Sequence, residues 1–372
     1  MTNYNLIAPC IFGIEGILAD ELRRLGVENV IAENGRVLFS GNASTIALAN
    51  INSRFAERIV INLGTFHAES FTELFDNIKK IPLEEFISKD DAFPVKGWSI
   101  NSKLHSIPDC QSIIKKAVVE RLKLAYKTDW FEETGPIHQL QFSIMKDQVT
   151  LMLDTSGQGL HKRGYRANSN AAPLKETLAA AMCDLARIYP DTQIFDPFCG
   201  SGTILIEAAM MAKKQAPGLR RSFAAERFGF IDQKVWSEQR GVALDKILPN
   251  VEFKAQGFDI DPGAVKLTLE NAKKAGVEKY VSAEVADIKD FKLPEGRALV
   301  ITNPPYGERL LDIKSSEELY KTMGQVFIKD NGKKFYVISP HDEFEAFFGR
   351  PADKKRKLYN GMIKCNFNMY FK

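Results

Sequence analysis

Four consecutive residues, Asn303, Pro304, Pro305 and Tyr306, are of types that could act together on a planar amino group. The two prolines fix φ and remove two backbone donors, which leaves carbonyl groups as acceptors. The side-chain oxygen of Asn303 is a further acceptor, and Tyr306 offers a flat face on which a base can stack. We therefore consider these four residues as catalytic candidates, with a rigid strand-to-helix turn as their alternative role.

The chemistry that this tetrapeptide favours is alkylation of an exocyclic purine amine. Such an amine is a poor nucleophile because its lone pair is shared with the ring. Hydrogen bonds from its two N–H groups to the Asn303 oxygen and the Pro304 carbonyl favour a tetrahedral nitrogen, which can attack a sulfonium methyl group. The leaving thioether is neutral, so positioning and desolvation supply most of the rate and no strong base is required.

A glycine-containing loop at residues 196–203, with the sequence DPFCGSGT, could hold the methyl donor. Gly200 and Gly202 permit a tight turn and a close approach of the ligand, and the helix predicted after them presents unpaired N–H groups. A phosphate loop would use the same geometry. No Gly-Lys-Ser/Thr follows, however, so the sequence disfavours an NTPase.

Two acidic residues at predicted strand ends complete a candidate ligand site. Asp259, in the segment GFDIDP, could accept both hydroxyls of a ribose that lies over the glycine loop. Asp261 precedes Pro262 and is interpreted as a helix cap. Asp287, after the next strand, could accept from an adenine amino group, and a surface role for it is equally consistent with the sequence.

Basic residues crowd the segment that leads to the glycine loop. Lys162, Arg163 and Arg166 surround Gly164 and Tyr165, and a second run, Lys354 to Lys357, lies near the end of the chain. Such clusters can hold phosphates, although each alone is more often a solvated surface. The formal net charge of +3 neither demands nor forbids a polyanionic partner.

The pattern of apolar residues divides the 372-residue chain into three units, at residues 1–64, 65–160 and 161–372, with 161–172 as a linker. Residues 1–64 alternate as β-α-β-β-α-β, the order of ferredoxin-like folds, with a hairpin turn at Asn34-Gly35. Residues 65–160 predict a separate small module that combines helices near 71–79, 83–87 and 108–126 with strands near 95–101, 137–145 and 149–154.

From residue 174 onward, strands and helices alternate regularly. This alternation predicts an α/β fold with a parallel, doubly wound, Rossmann-like sheet. The last two strands break the alternation and form an antiparallel hairpin about Asn360-Gly361. Residues 213–250 form a long insert between the first helix after the glycine loop and the next strand, and the sequence leaves its role open.

Composition excludes several other classes of protein. The fractions of hydrophobic (45%) and charged (26%) residues are typical of globular proteins, so disorder and collagen are excluded. The five cysteines show no CxxC spacing and the histidines no ligand spacing, so we expect neither a disulfide framework nor a metal site. No long apolar run or signal peptide occurs, and we expect a soluble, cytoplasmic protein without a membrane partner.

Together these segments resemble class I S-adenosylmethionine-dependent methyltransferases that act on amino groups. Residues 196–203 match their cofactor loop, 257–261 their ribose-binding acid and 303–306 their catalytic tetrapeptide. The segments LHKRGYR at 160–166 and APLKETLAAAM at 172–182 are similar to the junction in THUMP-containing RNA methyltransferases of the RlmL/YpsC-like group. The larger members of that group carry a second methyltransferase domain, whose activity we expect to be absent here.

The resemblance implies a cofactor, a substrate and a set of contacts. The cofactor would be S-adenosylmethionine, the substrate the N2 amino group of a guanine in 23S ribosomal RNA, and residues 65–160 an RNA-binding THUMP domain. The implied RNA contacts are Lys162, Arg163, Tyr165 and Arg166. The implied cofactor contacts are Asp196, Pro197, Phe198, Gly200, Gly202, Thr203, Asp259, Ile260, Asp287 and Asn303.

Three alternative functions are less consistent with the sequence. A DNA adenine-N6 methyltransferase would use the same tetrapeptide, but the N-terminal half contains none of the familiar DNA-binding motifs. A protein that binds RNA without turnover would not need an intact Asn303 and glycine loop. C5-methylation of a pyrimidine needs a cysteine nucleophile, and none lies near Asn303 in the sequence; Cys199 is interpreted as a small apolar residue.

Overall fold

The structure is a computed structural model that describes residues 2–166, 174–306, 313–328, 330 and 332–371. The described residues form two seven-stranded sheets, one in each half of the chain. Residues 167–172 of the predicted linker lie outside the described part.

The first sheet has the strand order β2-β3-β1-β4-β7-β6-β5, and all neighbours in it are antiparallel except β5 and β6. Its strands are β1 (Tyr4–Pro9), β2 (Glu28–Glu33), β3 (Arg36–Gly41), β4 (Val60–His67), β5 (Val95–Ile100), β6 (Leu140–Met145) and β7 (Gln148–Asp154).

One strand joins the first two predicted units. Strand β4 pairs with β1 on one side and with β7 on the other. The predicted boundary at residue 64 falls inside this strand, so the first two predicted units share one continuous sheet. Backbone donors and acceptors of an edge strand need partners, and β7 supplies them for β4.

Four helices accompany this sheet: α1 (Glu15–Arg24), α2 (Ala43–Asn52), α3 (Phe71–Lys80) and α4 (Ile107–Tyr126). Helix α4 buries the stripe that its spacing predicts, including Ile114, Val118 and Leu122. Helix α3 begins with a capping box between Ser70 and Glu73. The predicted helix at 83–87 is only a short 3-10 turn, Leu83–Glu85.

The second sheet has the order β10-β9-β8-β11-β12-β14-β13, and its first five strands are parallel. Its strands are β8 (Gln193–Asp196), β9 (Lys254–Asp259), β10 (Val281–Val285), β11 (Ala298–Thr302), β12 (Lys333–Ser339), β13 (Lys354–Asn360) and β14 (Ile363–Tyr370). Its helices are α5 (Glu176–Ala186), α6 (Thr203–Ala212), α7 (Lys234–Asp245), α8 (Pro262–Ala275), α9 (Ile313–Val326) and α10 (Phe344–Phe348). This is the predicted class I α/β architecture with an antiparallel terminal hairpin.

The turn of that hairpin lies one residue later than predicted. Asn360 pairs with Ile363, so the two turn residues are Gly361 and Met362. Gly361 has a φ of +64°, which glycine adopts without the strain that a Cβ would cause. Asn360 is therefore the last residue of strand β13 and is not part of the turn.

The insert at 213–250 ties the two halves of the molecule together. Helix α7 packs on α2 of the first unit, and the Gly218 N–H donates to the Ile51 carbonyl at 2.8 Å. The Phe228 ring stacks on His138 of the second unit, with ring centroids 4.1 Å apart. The insert therefore fixes the position of the N-terminal sheet relative to the C-terminal one.

None of the helices in the described part of the chain is long and apolar enough to cross a lipid bilayer.

Candidate active site

A cavity of about 920 Å³ opens at the carboxyl edge of the second sheet. It is lined by residues that follow β8, β9, β10 and β11, and helix α9 contributes Glu318 and Leu319 to its wall. This edge is where open parallel sheets bind ligands, because loops from several strands converge there. Nine of the ten predicted cofactor residues line the cavity, and the tenth, Gly202, caps helix α6.

The glycine loop is held from below by helix α8. Thr268 donates its hydroxyl to the Gly200 carbonyl at 3.0 Å, and Asn271 donates to the Ser201 carbonyl at 3.0 Å. Gly202 has a φ of +77°, and a Cβ at this position would lie 2.8 Å from the Thr268 side chain. Only glycine fits there, so the loop can turn tightly enough to aim the first N–H groups of α6 at the cavity.

Asp261 forms the predicted helix cap, whereas Asp259 contacts the glycine loop. Asp261 caps α8, because its carboxylate accepts from the Gly263 N–H at 2.8 Å. Asp259 accepts from the N–H groups of Gly200, at 2.9 Å, and of Asp261, at 3.0 Å, and faces the cavity. These bonds fix the carboxylate over the glycine loop, where a carboxylate can accept from vicinal hydroxyls.

Asp287 also lines the cavity and caps the short turn that follows β10. Its carboxylate accepts from the Lys289 N–H at 2.9 Å. A carboxylate has two oxygens and about four lone-pair directions, so this bond leaves acceptor capacity that can face a ligand. Ile260, which is 71% exposed, lines the same side of the cavity and provides an apolar surface for a ring.

Asp196 is a buried carboxyl at the floor of the cavity. Burial raises the pKa of Asp196 to about 7, and the nearby charge of Asp259 acts in the same direction. The Thr302 hydroxyl, at 2.6 Å, and the Phe198 N–H, at 3.1 Å, donate to it and oppose the rise. A cation in the cavity would favour the ionised form of this group.

The catalytic candidates follow β11 at the mouth of the cavity. The Oδ1 atom of Asn303 is buried and has no hydrogen-bond partner among the described residues. Buried polar atoms are normally paired, so an orphaned acceptor that lines a cavity indicates a partner supplied by a ligand. Pro305 lines the cavity beside it, whereas Pro304 is buried behind the turn.

Tyr306 is positioned by the terminal hairpin, a contact that the sequence did not predict. The Asn360 side-chain amide donates to the Tyr306 hydroxyl at 2.8 Å, and the Cys365 sulfur lies 3.9 Å from that hydroxyl. Burial raises the pKa of the Tyr306 phenol, so the ring is neutral at physiological pH. The hairpin thus completes the catalytic turn from a segment 54 residues away in the chain.

The expected RNA contacts at Arg163 and Tyr165 are corrected by the structure. Arg163 lies in the interior, where its side chain donates to the carbonyls of Leu160 and Arg54 and to the Glu207 carboxylate at 3.4 Å. The Tyr165 hydroxyl also donates to Glu207, at 3.1 Å. A guanidinium that is buried and already paired cannot reach a phosphate, so these residues join the units instead.

Arg166 is likewise a support for the cofactor loop. It donates to the Thr203 hydroxyl at 2.6 Å and to the Leu174 carbonyl at 3.0 Å, and the Glu176 carboxylate lies 3.7 Å away. Of the four expected RNA contacts, Lys162 alone has an exposed side chain.

Within the described ranges, no three histidine, cysteine, aspartate or glutamate side chains converge as metal ligands would.

Comparison with known proteins agrees with this geometry. A family model described as the RMKL-like methyltransferase domain matches residues 163–368. The chain belongs to this family. Two further models match the N-terminal half: the RlmL ferredoxin-like domain at residues 5–60 and the THUMP domain at residues 68–154.

The RMKL-like family includes relatives that cover the whole chain. YpsC of Bacillus subtilis (strain 168), named "Putative RNA methyltransferase YpsC", is 43% identical over 100% of this chain and 97% of its own length. The ribosomal RNA large subunit methyltransferase K/L of Shewanella amazonensis is 34% identical over 99% of this chain. The chain spans 53% of that relative, about half its length.

Solved structures of similar chains share the complete architecture. The structure described as "SMU.472, a putative methyltransferase complexed with SAH" is 40% identical with a TM-score of 0.94 over 100% of this chain and 98% of its own. A "predicted N6-adenine-specific DNA methylase" from Listeria monocytogenes str. 4b F2365 is also 40% identical, with a TM-score of 0.93 over 100% of this chain and 97% of its own. The RMKL-like chain described here is an S-adenosylmethionine-dependent methyltransferase.

Proposed function

We propose that this RMKL-like protein methylates RNA, and that its target is the exocyclic N2 amino group of a guanine in 23S ribosomal RNA, in the cytoplasm. The buried Oδ1 of Asn303, which has no hydrogen-bond partner in the described part of the chain, carries the proposal, because it supplies the acceptor that a planar amine needs in order to become a nucleophile. We also propose residues 1–64, 65–160 and 161–372 as the functional units of the chain, of which the first two share one sheet.

The cavity has the donors and acceptors that S-adenosylmethionine requires. The Asp259 carboxylate would hold the ribose hydroxyls, Asp287 would accept from the adenine amino group, and Ile260 would contact the adenine ring. Asp196 would face the positive end of the cofactor, where its ionised form is stabilised. When bound, the cofactor supplies an activated methyl group on a sulfonium centre.

The catalytic turn would act on the amine by position rather than by base catalysis. Asn303 Oδ1 would accept a hydrogen bond from one amino N–H and the Pro304 carbonyl would accept one from the other, and the methylated nitrogen would then release one proton to water. Tyr306, held by Asn360, would stack on the extruded base. Because acceptors that are already in place need no reorganisation during the reaction, they stabilise the developing charge on the nitrogen more strongly than water does.

The N-terminal sheet favours RNA over DNA as the substrate. A THUMP domain model matches residues 68–154, and the names of YpsC and of the K/L relative both refer to RNA. The Listeria protein is instead named as a DNA methylase, so a DNA adenine-N6 activity is the alternative. The catalytic turn serves both amines and therefore does not discriminate between them.

The choice of one activity of the K/L relatives for this chain is also a proposal. This chain corresponds to about half of the K/L relatives, whose name covers the activities of the whole protein. We assign guanine N2 to this half because the resemblance of residues 160–182 is to the RlmL/YpsC-like group.

Product analysis tests the proposal. The full chain is incubated with methyl-labelled S-adenosylmethionine and, in parallel, unmodified 23S ribosomal RNA, 16S ribosomal RNA or duplex DNA, and the digested nucleosides are separated by mass spectrometry. The expected product is N2-methylguanosine in 23S RNA, with none from an Asn303→Ala variant. Labelled N6-methyladenine in DNA, or label in RNA at another atom, would overturn the assignment.

A further inference from the structure

The loop after β1 contacts the hairpin formed by β13 and β14. Arg356 of β13 donates from Nε and from a terminal nitrogen to the Gly13 carbonyl, at 3.0 and 2.7 Å. The Phe12 ring packs edge-on against Tyr359, with centroids 6.0 Å apart. The loop after β1 is therefore docked on the same hairpin that holds Tyr306 through Asn360.

Phe12 is held in place without being buried. The Glu15 carboxylate accepts from the N–H groups of Gly13 and Gly35, both at 2.9 Å, and so clamps the loop to the β2–β3 turn. The ring lies over Gly35, where a Cβ would come 3.0 Å from it. Even so, 56% of Phe12 is exposed. A fixed and exposed aromatic ring offers a stacking surface at a low cost in conformational entropy.

Two lysines lie on the same face of the hairpin as Tyr359, the residue whose ring packs against Phe12. Lys357 lies two residues before Tyr359 in β13 and so projects to the same side, and Lys364 of β14 is paired directly with Tyr359. Both lysines are exposed, and neither forms an ion pair within the described part of the chain, in contrast to Lys355, which pairs with Glu345. We call Phe12, Lys357, Tyr359 and Lys364 the hairpin cluster.

The composition of the hairpin cluster fits single-stranded nucleic acid. Aromatic rings that stack on bases, combined with cations that follow the backbone, bind unpaired strands with little dependence on sequence. Asn360 follows Tyr359 in β13 and projects from the opposite face, where it contacts Tyr306, so the hairpin cluster and the catalytic turn share one hairpin as their support. A target base must leave its helix to be methylated, which places its neighbours in an unpaired strand.

We propose that the hairpin cluster binds the unpaired nucleotides that flank the target base, with Phe12 stacking on one base and Lys357 and Lys364 contacting its phosphates. This inference rests on the proposed function, in that the substrate is RNA. It assigns a substrate contact to the first unit of the chain and to the terminal hairpin, outside both the THUMP domain and the cofactor cavity.

Single substitutions at Phe12 separate stacking from folding. Because base stacking on an aromatic side chain contributes strongly to binding, Phe12→Ala and Phe12→Leu should each raise the KM for 23S ribosomal RNA by about tenfold. Phe12→Trp keeps an aromatic face and should stay within about twofold of the wild type. Calorimetry should show an unchanged S-adenosylmethionine affinity for all three variants, and their unfolding temperatures should match the wild type.

The lysines are tested through the salt dependence of binding. The double variant Lys357→Gln/Lys364→Gln should lower the affinity for a fluorescein-labelled 12-nucleotide poly(U) RNA. It should also reduce the slope of log K against log salt by about 1.4, or ~0.7 per lost contact. The matched controls are Tyr189→Ala, an exposed aromatic before β8, and Lys254→Gln at the start of β9, both at the sheet edge opposite the cavity. Both controls should behave as wild type.

The outcomes distinguish this inference from the function on which it rests. The inference is overturned if the wild-type protein methylates 23S RNA while the Phe12→Ala and double-lysine variants match the two controls in KM and salt slope. The proposed function is overturned if the wild-type protein methylates no RNA although it binds the cofactor. A raised KM confined to the hairpin-cluster variants, with full rescue by Phe12→Trp, supports the inference.

Discussion

Replacing Asn303 with Ala should lower the activity of the protein without lowering its stability. The Oδ1 atom is buried without a partner among the described residues, and an unmade hydrogen bond of this kind costs about 1–3 kcal/mol in the free protein. The Ala variant loses that cost, so its free energy of unfolding should be unchanged or higher by about 1 kcal/mol. Loss of one preorganised hydrogen-bonding group from an active site lowers kcat by about 10²–10³-fold.

The assay compares three quantities in the same preparations of wild type, Asn303→Ala and Asn303→Asp. Methyl transfer to 23S RNA should fall for the Ala variant and recover in part for the Asp variant, which keeps an acceptor oxygen. Calorimetric affinity for S-adenosylmethionine and the unfolding temperature without ligand should not fall for the Ala variant. A transfer rate within threefold of wild type would refute the reasoning, as would a lost rate accompanied by a lower unfolding temperature and lost cofactor binding.

The remaining predictions concern Asp196, Arg163 and Asn360. Raising the pH from about 5.5 to about 7 should strengthen cofactor binding in calorimetry. Burial raises the pKa of Asp196 to about 7, so this carboxyl ionises over that range, and its ionised form favours a bound cation. Asp196→Asn should flatten the dependence of cofactor affinity on pH. Since the folded pKa lies above the ordinary value, Asp196 should contribute stability to the free protein that is present near pH 4 and lost as the pH rises to about 7. Arg163→Met removes the ion-pair partner of the buried Glu207 carboxylate, so the free energy of unfolding should fall by about 3–5 kcal/mol. An unchanged denaturation midpoint would contradict a role of Arg163 in joining the units. Asn360→Ala removes the hydrogen bond to Tyr306, which is worth about 1 kcal/mol, so kcat should fall about fivefold while the cofactor affinity stays unchanged. An unaltered kcat would show that the hairpin does not position the tyrosine.

The loops that line the candidate cofactor cavity are predictable from the sequence because the features that shape them are local. Gly202 is required by a positive φ at the start of α6, and Asp261 caps the helix that its neighbour Pro262 begins. Each residue type follows from the conformation of its own turn. Parallel strands then bring these turns to one edge of the sheet, a step that the alternation of strands and helices already implies.

The predicted RNA contact at Arg163 is wrong because the charge of a residue in a sequence does not reveal whether its side chain is buried. Lys162 and Arg163 are adjacent and carry the same charge, yet Lys162 is exposed and Arg163 is buried against Glu207. The partner lies 44 residues away, on a helix whose composition is mostly apolar. Only the packing of α6 against the junction decides which cation faces solvent and which is enclosed.

The amino-acid sequence by itself determined the order of the elements, the turns that need glycine or proline, and the chemistry of the residues at the strand ends. These features depend on interactions within a few residues of chain. The tertiary structure decided the shared first sheet, the role of the 213–250 insert and the contact of Asn360 with Tyr306. Each of those joins segments far apart in the sequence, and such contacts form only where the packed core brings the segments together.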